Sequence, residues 1–241
     1  MVIPARLGST RLPRKALLAE SGKPLVQHVY EAAKRAREAA RVVVATDAPE
    51  IADAVGRFGG EAVLTDPSHA SGTDRVAEVA RRSRERFVVN LQGDEPEASA
   101  EAIDALIRAI RSDGECGMAT VAYPLHDSRA FADPNQVKVV VDRSSRALYF
   151  SRAAVPHPRV PSAAGGYPLG HAGLYAFERE TLFRFTSLEP TPLERLESLE
   201  QLRALENGVP IRVIIGPYAC RGIDTREDYE LFLRRERARS A

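Results

Sequence analysis

The sequence predicts an α/β protein built on a mostly parallel central sheet. Two observations carry that expectation. Through residues 1–111, short β-branched runs alternate with longer stretches of helical apolar spacing, the pattern of strands joined by helical crossovers. Polar clusters follow the expected strands at Pro4 to Lys15, Thr46-Asp47 and Gln92 to Pro96, and in such sheets ligands sit at the carboxyl ends of the strands.

Taken in order, Val2-Ile3 ends a short opening strand, and Leu25 to Ala40 repeats apolar residues at helical intervals. Arg41 to Thr46 reads as a buried strand. Pro49 to Phe58 reads as a helix stopped by Gly59-Gly60, and Glu61 to Thr65 as the next strand. Gly72 to Arg86 contains a helix beginning near Thr73-Asp74, both capping residue types. Phe87 to Leu91 is a strand, and Ser99 caps a helix running to Arg111. The alternation changes after Gly117. Met118 to Tyr123, Val137 to Val141, Ala147 to Phe150 and Gly173 to Phe177 read as strands, and the Pro- and Gly-rich stretch His157 to Pro168 as an exposed loop. Leu193 to Asn207 reads as one helix ended by Gly208, Ile211 to Ile215 as a strand, and Thr225 to Arg237 as a last helix. The arginines at 234, 235, 237 and 239 read as its solvated, dipole-complementing end.

A chain of 241 residues suffices for one large domain, or a domain with a lobe, around a buried core. The formal net charge of +1 supplies no field for nucleic acid or membrane, so neither is an expected partner and any anion site is local. Cys116 and Cys220 form no CxxC pair, which fits a reducing cytoplasm. No apolar run approaches the ~20 residues of a membrane span, and the opening MVIPARLGST lacks a secretory h-region. The five histidines form no HxxxH or HExxH pair, so zinc is not expected; His28 reads as structural and His171, in Gly-His-Ala-Gly, as the best functional candidate.

Four segments carry chemistry. Ile3 to Lys15 combines a strand end, Gly8, hydroxyls and the cations Arg6, Arg11, Arg14 and Lys15. It is either an anion nest for phosphates or a basic surface loop; it is neither a Walker loop nor a GxGxxG fingerprint. Asp94 and Glu95 in Gln92-Gly-Asp-Glu-Pro96 place adjacent carboxylates at a strand's carboxyl end, which suits a hard cation with one acid binding and the other bracing, or a turn with exposed acids. In Arg221-Gly-Ile-Asp-Thr225, Asp224 or Thr225 caps the last helix, or the two divide capping and metal binding. Ser71-Gly-Thr-Asp-Arg75 offers donors to a base or phosphate, or caps its helix.

Read together, these segments resemble the Kdo (3-deoxy-manno-octulosonate) cytidylyltransferase family, the CMP-Kdo synthetases. The resemblance runs from Ile3-Pro-Ala-Arg-Leu-Gly-Ser-Thr-Arg-Leu-Pro-Arg-Lys15 through Val44-Ala-Thr-Asp47, Ser71-Gly-Thr-Asp-Arg75, Asn90-Leu-Gln-Gly-Asp-Glu-Pro96, Pro134-Asn-Gln-Val-Lys-Val139 and Ala147-Leu-Tyr-Phe-Ser-Arg152. It continues through His171-Ala-Gly-Leu-Tyr175, Pro192-Leu-Glu194, Leu199-Glu-Gln-Leu-Arg203 and Gly222-Ile-Asp-Thr225. The ordered set is specific where each piece alone is not. It implies a three-layer α/β/α nucleotide-diphospho-sugar transferase fold, similar to glycosyltransferase A domains, in a single cytidylyltransferase domain. The nucleotide-binding half would span about 1–117, and the sugar-binding and dimerisation half about 118–241.

The resemblance also implies a cytoplasmic, magnesium-dependent homodimer that transfers CMP from CTP to Kdo and releases pyrophosphate, for lipopolysaccharide synthesis. By position, Arg6, Ser9 and Lys15 would hold CTP, Ser71 and Gly72 would line the cytosine pocket, and Asp94 and Asp224 would bind Mg²⁺. Arg6, Lys15, Asp94 and Asp224 would form the catalytic group. Arg75, Gln92, Arg152, His171, Tyr175, Glu200 and Gln201 would face Kdo, with Arg152 or Arg75 gripping its carboxylate. The chain departs from the family's pattern at Arg14, where glycine is expected, in its short first strand, and in the Pro-Tyr-Ala-Cys-Arg-Gly run before Asp224. A cytidylyltransferase for 8-amino-Kdo or sialic acid, and a non-catalytic nucleotide-binding module, are the competing readings.

Overall fold

A computed structural model of the chain describes every residue except Thr10, 160–167, 219–221 and Ala241, and for Ser240 the backbone alone. The chain folds as two compact units, Met1–Asp104 with Cys220–Ala241, and Ala105–Ala219. Residues from 222 onward return to the first unit, because the last helix supplies the core that covers the first loop.

In the first unit the strands are β1 (Val2–Ala5), β2 (Val43–Thr46), β3 (Ala62–Leu64) and β4 (Phe87–Leu91), in spatial order β3-β2-β1-β4 and parallel at each pairing. Helices α1 (Leu25–Lys34), α2 (Pro49–Arg57) and α3 (Gly72–Arg81) make the crossovers. The connections β1-α1-β2 and β2-α2-β3 step one way along the sheet; β3-α3-β4 steps back past β1. Right-handed crossovers of opposite direction put their helices on opposite faces. The reversal lies between β1 and β4, and the crevice beyond their carboxyl ends is where such sheets take ligands. Ile3, Val44 and Leu91 are fully buried, so the strands read as near-continuous apolar runs, as parallel strands covered on both faces should.

Helix α3 starts at Gly72, one residue before the expected Thr73-Asp74. Ser71 is its cap, accepting from the Asp74 amide at 3.1 Å while the Asp74 carboxylate accepts from the Ser71 amide at 3.0 Å. Helix α1 stops at Lys34, six residues short of Ala40. Ser99 caps α4 (Ala100–Ser112) through the Ala102 amide at 3.2 Å, as expected.

The second unit holds β5 (Met118–Pro124), antiparallel to β8 (Leu169–Glu178) and parallel to β9 (Ile211–Ile215), with β6 (Lys138–Val141) and β7 (Ala147–Ser151) as an antiparallel pair. Two short helices, α5 (Ser128–Ala132) and α6 (Arg179–Thr186), were not expected. The single helix expected over Leu193–Asn207 is two, α7 (Pro192–Glu197) and α8 (Gln201–Glu206). Ser198 turns left-handed at φ 52° and breaks it. The break turns the Glu197 carboxylate onto β7, where it accepts from Ser151 Oγ at 2.7 Å and the Arg152 amide at 2.9 Å. Most of the expected loop from His157 to Pro168 lies outside the described residues.

Helix α9 (Arg226–Ser240) closes the first unit. Tyr229, Phe232 and Leu233 pack with Ile223 onto Leu12, Leu18 and Leu25. Its arginines are not merely solvated: Arg235 and Arg239 both pair with Glu97, at 2.7 and 2.8 Å. Among the described residues no helix is long and apolar enough to cross a membrane.

Candidate functional site

The crevice at the β1/β4 reversal is a cavity of about 580 Å³ lined by the first loop, the start of α3, the end of β4 and Asp224. Its floor depends on one close approach. A Cβ on Gly93 would lie 2.4 Å from the Pro4 carbonyl, so only glycine lets β4's exit pass β1's end.

Lys15 is at the centre. The α9 core pins the 222–225 turn against the first loop, and the Ile223 amide donates to the Asp94 carbonyl at 2.9 Å. Two carboxylates distant in sequence thereby meet one ammonium. Lys15 Nζ donates to Asp94 Oδ2 at 2.8 Å, Asp224 Oδ1 at 3.2 Å and the Ile223 carbonyl at 2.6 Å, using all three donors that a lysine has. Arg11 reaches Asp224 Oδ2 at 2.9 Å. The Lys15 side chain is 14% exposed, Asp94 31% and Asp224 47%, so the carboxylates face the cavity and the ammonium lies beneath.

The structure separates capping from site duty at the last helix. Thr225 Oγ1 accepts from the Asp228 amide at 3.2 Å, and Asp228 Oδ2 accepts from the Thr225 and Asp224 amides at 2.8 and 3.1 Å. Thr225 and Asp228 make the cap, which leaves the Asp224 carboxylate to Lys15 and Arg11. The adjacent acids Asp94 and Glu95 also divide. Glu95 is buried, and burial first, then Asp94 and Asp224, push its pKa well above the usual carboxylate range against the pull of Lys15.

The other cavity residues are Arg6, Ser9, Ser71, Gly72, Arg75 and Gln92, together with His69, which the sequence reading passed over. Arg6 is exposed and has no partner among the described residues. Arg75 lines the wall with its guanidinium engaged: Nη1 donates to Thr65 Oγ1 at 2.7 Å and Nη2 pairs with Asp47 at 3.0 Å, the side chain being 4% exposed. Asp47, noted only as a polar strand end, is its counter-ion.

Arg152, His171, Tyr175, Glu200 and Gln201 lie in the second unit. Arg152 braces backbone, donating to the carbonyls of Glu197 at 2.7 Å, Pro134 at 3.1 Å and Ser198 at 3.4 Å. Two of its five donors remain for a ligand. His171 Nε2 meets Thr120 Oγ1 at 2.9 Å, and its ring lies 5.4 Å from that of Tyr175. Burial, with Glu200 adding, raises the Tyr175 phenol well above its ordinary value, so it stays a donor. Glu197, which anchors the start of this cluster, was not expected; a helix break at Ser198 has no sequence signal.

Burial lowers the His171 pKa to about 3. Below the ordinary imidazole pKa near 6.5, the unfolded chain takes up a proton that the folded chain refuses, so stability falls as pH drops from about 6.5 toward 3. Denaturant unfolding between pH 6 and pH 4 is expected to show this loss, at a slope up to about 1.4 kcal/mol per pH unit from this group. His171→Gln, which keeps a donor for Thr120, should flatten the slope. An unchanged slope in that variant contradicts the assignment.

Arg14 occupies the left-handed region, φ 55° and ψ 28°, at the entry to the short 3-10 turn Lys15–Leu17. This is why glycine is the residue expected there. Its contact with Glu50, at 3.6 Å, is between half-exposed groups and contributes little. Arg14→Gly is expected to raise stability by about 1 kcal/mol, the cost of holding a side chain in that region. A lower denaturation midpoint in the variant would refute this account.

The site's residues fit a divalent cation. Two carboxylates already converge on one cationic atom, both partly exposed, and no cluster of three or more His, Cys, Asp or Glu ligands is present among the described residues. Mg²⁺ is commonly bound by one or two carboxylates, with water and phosphate completing its shell.

Comparison with known proteins gives concordant matches. A family profile described as cytidylyltransferase matches residues 1–212. A 3-deoxy-manno-octulosonate cytidylyltransferase from Syntrophobacter fumaroxidans is 50% identical over 232 residues, covering 95% of this chain and 93% of the relative. The solved structure of a CMP:2-keto-3-deoxy-manno-octonic acid synthetase complexed with CTP superposes with a TM-score of 0.93 at 41% identity, covering 100% of this chain and 98% of that one. A nucleotidyl transferase from Methanothermobacter shares the fold alone, at TM-score 0.64 and 15% identity, covering 100% of this chain and 97% of that one.

Proposed function

The chain belongs to the 3-deoxy-manno-octulosonate cytidylyltransferase family and transfers CMP from CTP to Kdo; from that premise we propose that the cavity at the β1/β4 reversal is the reaction site and that Asp94 and Asp224 hold a catalytic Mg²⁺ in it. The observation that carries the proposal is the convergence of both carboxylates on Lys15 Nζ. The fold is the three-layer nucleotide-diphospho-sugar transferase one, with mostly parallel strands in its sheet.

The anomeric hydroxyl of Kdo attacks the α-phosphorus of CTP. The new C–O–P linkage forms as the bond to the β-phosphate oxygen breaks, pyrophosphate leaves with that electron pair, and the hydroxyl proton passes to solvent or a nearby base. Phosphoryl-type transfers demand positioning and charge neutralisation more than covalent catalysis. Mg²⁺ held by Asp94 and Asp224 would supply Lewis-acid chemistry at this point. Arg6, exposed on the cavity with no partner among the described residues, is available to the triphosphate without breaking an existing contact. Lys15 must exchange at least one of its three present acceptors for a phosphate oxygen, after which it offsets charge on the leaving pyrophosphate. Ser71 and Gly72 present the start of α3 to the nucleotide, and Gln92 lies beside Gly72. The protein acts as a homodimer in the cytoplasm and feeds lipopolysaccharide synthesis.

The test is pyrophosphate release measured with CTP, UTP or ATP, with and without Kdo and Mg²⁺. Release is expected only with CTP, Kdo and Mg²⁺ together. Undiminished turnover in excess EDTA would refute the metal assignment, and CTP binding without release in the complete mixture would refute the transferase reading.

A further inference from the structure

His69 lies on the cavity wall near the start of α3, two residues before Ser71. Its side chain is 20% exposed, and Nε2 is 2.6 Å from Glu78 Oε2. Glu78 is held ionised: burial acts to raise its pKa, but the Asp66 amide, His69 and Arg82 together outweigh burial and lower it. An ionised carboxylate only accepts, so the proton of this contact sits on Nε2. The same Oε2 accepts from the Asp66 amide at 2.9 Å, which fixes the carboxylate to the loop that carries His69. A neutral imidazole pinned in this tautomer has a lone pair on Nδ1, the ring nitrogen left for a ligand.

We propose that His69, oriented by Glu78, is a base-specificity residue that reads the exocyclic 4-position of the pyrimidine. It rests on the cytidylyl-transfer reading above and adds a determinant to it. The 4-amino group of cytosine is a donor and pairs with an Nδ1 acceptor. Uracil carries a carbonyl oxygen there, which sets two acceptors against each other and leaves both unpaired in a partly desolvated wall. A site built to hydrogen-bond one substrate group rejects the analogue lacking it far better than a pocket of mere shape does. Glu78 acts through His69 and is a positioning residue.

The experiment compares kcat/KM for CTP and UTP, with Kdo and Mg²⁺ at pH 8.5, in the wild type, His69→Phe and Glu78→Gln. The same buffer and pH in every arm make the CTP-to-UTP ratio a comparison of the bases alone. The CTP-to-UTP ratio is expected to fall at least about tenfold in His69→Phe, through loss on the CTP side. Glu78→Gln should lower it less, because an amide accepts or donates and no longer fixes the tautomer. A ratio that stays constant while both substrates decline together marks His69 as a structural pin and overturns the proposal. Should His69→Phe fail to fold, Glu78→Gln carries the test alone, and an unchanged ratio there overturns it equally. Failure of the transferase reading shows up separately, as absence of pyrophosphate release from CTP in the wild-type arm, and it overturns both.

Discussion

Asp94→Asn and Asp224→Asn are each expected to lower kcat for pyrophosphate release at least about a hundredfold, roughly 3 kcal/mol of lost transition-state stabilisation. Asparagine keeps the size and one acceptor oxygen of aspartate and removes the charge, so the change isolates electrostatics from packing. The two side chains face the cavity from different chain segments and meet at one point. Neither can be replaced by its neighbour. Glu95 is buried beneath Asp94 with its pKa held up, and Asp228 is spent on the α9 cap. Raised Mg²⁺ should recover part of the lost rate, since a weakened site is refilled by mass action. Initial rates over a Mg²⁺ titration check both statements. Wild-type turnover in either variant would remove the carboxylate pair from the mechanism.

Much of this was legible in the sequence, and where it was not the reasons are physical. Strand and helix alternation located β1 to β4 within a few residues, because buried parallel strands and amphipathic crossovers leave strong periodic signals. The polar strand ends then marked the crevice. Weak periodicity hid the five-residue α5, and no side-chain hydrogen bond caps α6. The break at Ser198 depends on a left-handed backbone that serine rarely adopts, so a continuous helix was the natural reading of 193–207. At the site, Lys15, Asp94 and Asp224 were readable as charges at turns. That Thr225 and Asp228 would do the capping, freeing Asp224, required the turn's hydrogen bonds. The third Lys15 partner is the Ile223 carbonyl, which every residue carries and no motif can advertise. The pairing of Arg75 with Asp47, 28 residues away, has no local signal in the sequence.

Lys15→Met is expected to change two measurements in opposite directions. The Lys15 ammonium occupies the point where both carboxylates converge, with all three donors used. It therefore competes for the position a divalent cation would take. Methionine keeps most of the length and removes the charge. Mn²⁺ binding without CTP, followed by the electron paramagnetic resonance of the free ion, should tighten at least about tenfold, or about 1.4 kcal/mol. This is a modest share of the repulsion between close charges near a protein surface, reduced because Asp94 and Asp224 are partly open to solvent. Turnover with CTP should fall at least about a hundredfold, since the cation that offsets pyrophosphate charge is gone. A lysine that only braced the turn would give a different pair of results: weaker Mn²⁺ binding through loss of order, and a lower melting temperature. The combination of tighter metal and slower chemistry distinguishes a resident counter-cation, released to the phosphates when nucleotide arrives, from a structural pin. Unchanged or weaker Mn²⁺ affinity in Lys15→Met would rule out the exchange.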